Sequence, residues 1–141
     1  MDVVDVNVLL YAVNPDAPHH AAARRWLQAA LNRPGALGLT WLVLVGFVRL
    51  ATHESIWPHP LPTGDALDLV EAWVASPGAI VLEPTGRHVR VLRSLLTETG
   101  TGGNLTNDAH LAALAAEHGA MVCSFDNDFD RFPGVRWHPP S

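Results

Sequence analysis

The chain has 141 residues, 48% of them apolar, a formal net charge of −5 and one cysteine. That length and apolar share fit a single globular domain over residues 1–141 with a full core. The negative charge excludes broad, nonspecific coating of nucleic acid, which needs a basic surface, but leaves room for a local site whose carboxylates a cation offsets. Residues 3–6 read as a first strand and residues 7–13 as a short helix ended by Asn14-Pro15. Residues 19–32 place Ala22, Trp26, Leu27, Ala30 and Leu31 at helical spacing, and Arg33-Pro34-Gly35 stops them. A second strand over 36–39 leads into a helix from Thr40 to about Ala51. The segment 53–63 carries Pro58, Pro60 and Pro62 and reads as an exposed loop. Residues 63–75 are helical, with Leu67, Val70 and Val74 on one face. A strand over 79–82, a helix over 85–98 and a glycine-rich loop over 100–104 follow. The chain closes with a helix over 106–118, a strand over 120–124 and an edge strand over 135–137. Strands separated by helices predict a three-layer α/β/α domain around a mostly parallel sheet of four to five strands.

Four acids fall where such a fold delivers side chains to one end of its sheet: Asp5, Asp108, Asp126 and Asp128. Asp5 and Asp126 follow apolar runs and sit at strand ends, which open into the crevice of a parallel sheet. Asp108 falls in the first turn of its helix, where the positive helix terminus favours the ionised form. Carboxylates gathered this way are costly unless a hard divalent cation such as Mg²⁺ neutralises them, and such an ion keeps positions open for a phosphate. Hydrolysis of a phosphate ester is the chemistry this pattern implies.

Taken singly, each acid has a plainer reading as a helix-start or turn residue, since Asp favours both places. All nine basic residues are Arg, and Arg87, Arg90 and Arg93 recur along one helix; they read either as grips for flanking phosphates or as a solvated face. His110 follows Asp108 by two residues, so on a helix their side chains diverge and His110 reads as structural. Trp41, Trp57 and Trp73 lie in or beside amphipathic helices and read as a partner surface or as core. Cys123 alone makes neither an internal disulfide nor a thiolate zinc site, which suits a reducing cytoplasm. The opening Met1-Asp2 lacks the basic stretch of a secretory signal, and the longest uncharged segment, residues 34–48, is too broken by Gly and Pro for a membrane span.

Four segments carry a family resemblance: D-V-N-V-L-L-Y from Asp5, T-W-L-V-L-V-G-F-V-R-L-A-T from Thr40, G-N-L-T-N-D-A-H-L-A-A-L-A from Gly103 and S-F-D-N-D-F from Ser124. In this order, over nearly the whole chain, they resemble the PIN-domain ribonucleases and more narrowly the VapC toxins of bacterial toxin–antitoxin pairs. The resemblance implies a metal-dependent endoribonuclease. Asp5, Asp108 and Asp126 would be catalytic acids that bind Mg²⁺ or Mn²⁺, with Asp128 as an accessory acid and Asn7 and Ser124 as supporting polar groups. It also implies an RNA substrate, a homodimer and inhibition by a small antitoxin protein. One position departs from the family pattern: a Glu is usual three residues before the Arg of the helix after the second strand, and here Gly46 precedes Arg49.

Two other classes fit parts of the pattern. A phosphatase or phospho-accepting receiver also places Asp near the end of its first strand, but those families usually use a Lys near the phosphate, and this chain has none. A PIN-like binding module with weakened catalysis fits the loss of a carboxylate at position 46. Metal-dependent RNA cleavage separates it from the enzyme.

Overall fold

Short apolar runs become strands and amphipathic segments become helices in the order expected, and the strand ends fix where the site lies. The computed structural model describes residues 1–100 and 102–141, with Asn104 followed along its backbone only. Strand β1 (Asp2–Val4) leads into helices α1 (Val6–Val13) and α2 (His20–Asn32), then strand β2 (Leu37–Leu39) into α3 (Trp41–Ala51) and α4 (Thr63–Val74). Strand β3 (Ala79–Val81) precedes α5 (His88–Thr99) and α6 (Thr106–Glu117), and the chain ends with β4 (Met121–Cys123), a 3-10 turn (Asn127–Arg131) and β5 (Trp137–His138).

The strand order is β3-β2-β1-β4-β5 and every pairing is parallel. Right-handed crossovers send α1 to α4 to one face and α5 and α6 to the other. Accordingly α1 packs on α2 and α3, α3 packs on α4, and α6 packs on α5, β1 and β4. β1 lies between β2 and β4, where the chain reverses its direction of travel across the sheet. Ligands of open parallel sheets bind outside the carboxyl ends of the strands at such a point, and Asp5 follows β1 directly. Val3, Val4, Leu37, Leu39, Val122 and Cys123 are fully buried, as strands covered on both faces require.

Local chemistry sets the boundaries. The first strand ends at Val4 rather than at residue 6, because the Asp5 side chain accepts the Val6 backbone N–H at 2.8 Å and starts α1 one residue early. Asn14, held extended ahead of Pro15, stops α1. The helix expected over 85–98 begins at His88, since Thr85 and Gly86 form a turn in which the Thr85 hydroxyl accepts the Arg87 N–H. Gly78 admits no side chain: a Cβ there would lie 2.0 Å from the Ala30 carbonyl oxygen, and its N–H donates to Leu31. The loop over 53–63 is exposed apart from half-buried Pro60 and Leu61 and from Trp57, which is 7% exposed and joins the core. Trp73 is also buried and meets the Phe47 ring edge-on at 4.8 Å. The inner face of α4 is therefore Ala66, Val70 and Trp73, and Leu67 points outward. Of the three tryptophans, only Trp41 is exposed. The glycine-rich stretch over 100–104 includes Thr101, which lies outside the described residues; Gly103–Leu105 forms a 3-10 turn into α6.

Candidate metal centre

Asp5 is the deepest of the four acids, 8% exposed, and its orientation is fixed by three donors. One carboxylate oxygen takes the Val6 N–H; the other takes the Ser124 hydroxyl at 2.7 Å and the Asn7 amide at 3.3 Å. Ser124 is wholly buried, and its hydroxyl also accepts from Asn7 at 3.1 Å and from the Asp126 N–H at 2.9 Å. Both lone pairs are thereby used and its single proton has to go to Asp5. Asn7 completes the frame by accepting the Phe125 N–H at 3.2 Å. Asn7 and Ser124 thus bind the carboxyl ends of β1 and β4 together around Asp5.

Asp126 caps the 3-10 turn, one oxygen accepting the Asp128 N–H at 2.9 Å, which leaves its other oxygen available to an ion. Asp108 stands in the first turn of α6. One oxygen from each of Asp108, Asp126 and Asp128 lies within 4.8 Å of the others. Two ligands on opposite sides of Mg²⁺ at about 2.1 Å lie about 4.2 Å apart, so small side-chain shifts close the set on one ion. The tight trio contains Asp128 in place of Asp5, whose charge still adds to the shift of Asp108. Asp130 is turned away, accepting the Trp137 indole N–H at 2.7 Å. Among the described residues the only ion pair to any of the four acids is an exposed one from Arg131 to Asp128 at 3.6 Å, which supplies little.

The electrostatics record that crowding. Burial, then the charges of Asp5, Asp126 and Asp128, push the Asp108 carboxyl up to about 6. Burial also raises Asp5, assisted by Asp126 and opposed by the Ser124 and Val6 hydrogen bonds. A site where burial and neighbouring negative charge raise the proton affinity of Asp5 and Asp108 is one that a divalent cation fits. The sign has a testable consequence. Asp108 favours the metal-free fold below its ordinary pKa of 3.8, and that contribution is lost as pH rises through about 6. Asp108→Asn is expected to raise the metal-free melting temperature by a few degrees at pH 7 and to leave it unchanged at pH 4. Calorimetry in chelator across that range checks it; a variant less stable at pH 7 would contradict the crowding.

A cleft of about 560 Å³ opens beside the cluster. Asp5, Asn107 and Asp108 line it on one side, and Trp41, Gly46 and Arg49 of α3 on the other. The PIN domain model matches residues 3–135. The chain belongs to the PIN domain family. Among PIN relatives, ribonuclease VapC37 of Mycobacterium tuberculosis is 51% identical over 140 residues, covering 99% of this chain and 97% of that protein. In solved structures the fold resembles VapC20 of Mycobacterium tuberculosis, described as a Sarcin-Ricin loop cleaving toxin, with a TM-score of 0.68 at 22% identity over 96% of this chain and 99% of that one. It also resembles VapBC2 from Rickettsia felis bound to a DNA fragment from its promoter, with a TM-score of 0.69 at 16% identity over 99% and 98%.

Within this PIN domain, Gly46 faces the acids across the cleft, and a Cβ there would meet only Val6, at 3.8 Å. None of Arg87, Arg90 and Arg93 lines the cleft; Arg87 donates instead to the Glu117 carbonyl oxygen at the far end of α6, at 3.0 Å. Arg49 does line it, a role that sequence reasoning misses because a lone Arg late in an apolar helix carries no signal beyond marking the family pattern.

A second polar cluster also escapes the sequence. The buried Glu117 carboxylate accepts from the Thr85 N–H at 2.9 Å, the Thr85 hydroxyl at 2.6 Å and the His88 ring, whose other nitrogen meets His110 at 2.8 Å. Burial acts to raise the Glu117 pKa, but the Thr85 and His88 hydrogen bonds outweigh it and the net shift is downward. His110 is therefore structural, in keeping with its divergence from Asp108; its position seven before Glu117 on an otherwise Ala/Leu-rich helix is the available signal. Glu117→Ala strands three partly buried donors, and an expected loss of about 1–3 kcal/mol follows. Urea unfolding checks it, and a loss under about 0.5 kcal/mol, the level of a plain surface change, would contradict the assignment.

Proposed function

We propose that this PIN domain is a metal-dependent endoribonuclease and the toxin of a toxin–antitoxin pair, built as one domain over residues 1–141. The observation that carries the reading is the meeting of Asp5, Asp108, Asp126 and Asp128 at the sheet's switch point beside an open cleft. The names of similar proteins support it: VapC37 is a ribonuclease, VapC20 a toxin, and a toxin-antitoxin complex from Klebsiella pneumoniae shares the fold with a TM-score of 0.63.

Asp108, Asp126 and Asp128 would hold Mg²⁺ or Mn²⁺, with Asp5 adding negative charge beside them. When bound, that ion supplies Lewis-acid stabilisation of the phosphodiester and a water of lowered pKa. The protein's own groups do the positioning. Ser124, Asn7 and the Val6 N–H aim Asp5, the Ser124 and Val6 hydrogen bonds offsetting part of the burial that raises its proton affinity, and the amino end of α6 favours the Asp108 anion. Arg49, across the cleft, offers a fork to a phosphate oxygen of the bound strand. A single or looped RNA strand bends into such a cleft more readily than a duplex.

The exposed apolar strip of Trp41, Val45 and Leu67 on α3 and α4 adjoins the cleft and is where we place a protein partner, either the antitoxin or a second copy of the chain. Among the described residues no helix is long and apolar enough to cross a membrane, and a cytoplasmic toxin is the setting this reading requires. Incubating purified protein with RNA and mapping the new ends tests the reading. Discrete cuts with Mg²⁺ or Mn²⁺ that vanish in chelator support it. Absence of cuts under all metal conditions would leave the binding module with weakened catalysis, which Gly46 favours, as the better account.

A further inference from the structure

We propose that His19, stacked on Phe125 and through it on Tyr11, is a platform on which one base of the RNA stacks beside the scissile phosphate. This rests on the ribonuclease reading and adds a substrate-positioning residue to it. The His19 and Phe125 rings are nearly parallel, with centroids 4.9 Å apart and planes at 14°, and Tyr11 lies 5.3 Å from Phe125 on its α1 side.

The backbone argues that the ring is there for its own sake. His19 has φ of 57°, the only non-glycine residue with positive φ among those described. Glycine adopts that conformation freely, whereas a side chain is strained in it, so strained residues cluster where function holds them. His19 stands at the N-cap of α2, yet its side chain makes no capping hydrogen bond. Neighbouring His20 anchors the turn instead, its ring nitrogen meeting the Tyr11 carbonyl oxygen at 2.7 Å. The His19 ring contributes one stacking contact and is otherwise exposed.

The platform is tied to the acids. Phe125 stands between Ser124, which holds Asp5, and Asp126 of the acid trio, and its N–H is held by Asn7, which also donates to Asp5. Unpaired RNA bases are gripped mainly by stacking on aromatic rings, His included, and every base offers a face to stack. An exposed ring stacked on the residue next to Asp126 positions the strand without reading its sequence strictly.

Steady-state cleavage of a short single-stranded RNA tests this, using wild type, His19→Gly and His19→Tyr, with melting temperatures measured in parallel. His19→Gly suits the backbone, so its melting temperature is expected to equal or exceed that of wild type. Its KM is expected to rise about tenfold or more with kcat preserved. His19→Tyr keeps a ring and is expected to restore the wild-type KM. Substrates lacking one base at each position in turn complete the test. At one position the missing base costs wild type the same factor and costs His19→Gly nothing more. An unchanged KM in His19→Gly, or penalties that add at every position, overturns the platform while wild-type cleavage leaves the ribonuclease reading standing. A wild type that cleaves no RNA overturns both.

Discussion

Asp126→Asn is expected to lower metal-dependent RNA cleavage by at least about 100-fold, about 2.7 kcal/mol of transition-state stabilisation, while leaving the fold almost as stable. The structure makes Asp126 the cleanest of the four acids to test. Its structural duty is to accept the Asp128 N–H, and an amide oxygen does that equally well. What the substitution removes is the charge and the second carboxylate oxygen that Asp126 brings to the acid trio. Asp5→Asn behaves differently. Both Asp5 oxygens accept hydrogen bonds, and the Ser124 hydroxyl has no lone pair left to receive an amide proton. Whichever way the introduced amide turns, a donor faces a donor, and a stability loss of about 1–3 kcal/mol is expected with the loss of activity. If the acids work as one site, combining the two changes costs little more activity than either alone. Cleavage rates and urea midpoints of the three variants check this, and full activity in Asp126→Asn would contradict the assignment.

Gly46→Glu is expected to tighten Mg²⁺ binding by about tenfold, because affinity for a hard cation rises with the number of charged oxygen ligands. Gly46 lines the cleft opposite Asp5 and Asp108, and its missing Cβ has only Val6 near it, at 3.8 Å. A longer side chain therefore extends into the cleft without displacing backbone. Glu also suits a helix interior better than Gly by about 0.5–1 kcal/mol, whereas without metal the added charge opposes the ionisation of Asp108 further. Calorimetric titration of wild type and variant measures the change. Unchanged or weaker affinity in a folded Gly46→Glu protein would mean that position 46 does not face the ion.

The α/β alternation was legible because strands buried on both faces have to be uninterrupted apolar runs and helices have to repeat every three to four residues. The grouping of Asp5, Asp108 and Asp126 at one end of the sheet follows from strand ends and a helix start, both of which have local signals. Asp128 ranks with the trio only because the 3-10 turn bends back after Asp126, and no periodicity announces that. Trp57 looks exposed amid prolines, since the burial of a loop residue depends on what lies beneath it and not on its neighbours. The Glu117, His88 and Thr85 contacts join residues about 30 positions apart, and the His19 to Phe125 stack joins opposite ends of the chain. Pairings of that kind are products of the fold and leave no trace in local sequence.

Anomalous diffraction from crystals of the wild-type protein soaked in Mn²⁺ tests the metal centre itself. The account predicts a peak bonded to carboxylate oxygens of Asp108, Asp126 and Asp128, at about 2.1–2.2 Å as hard divalent ions require, and its disappearance in Asp126→Asn crystals. No peak at that cluster, at a Mn²⁺ concentration that supports cleavage, would contradict it.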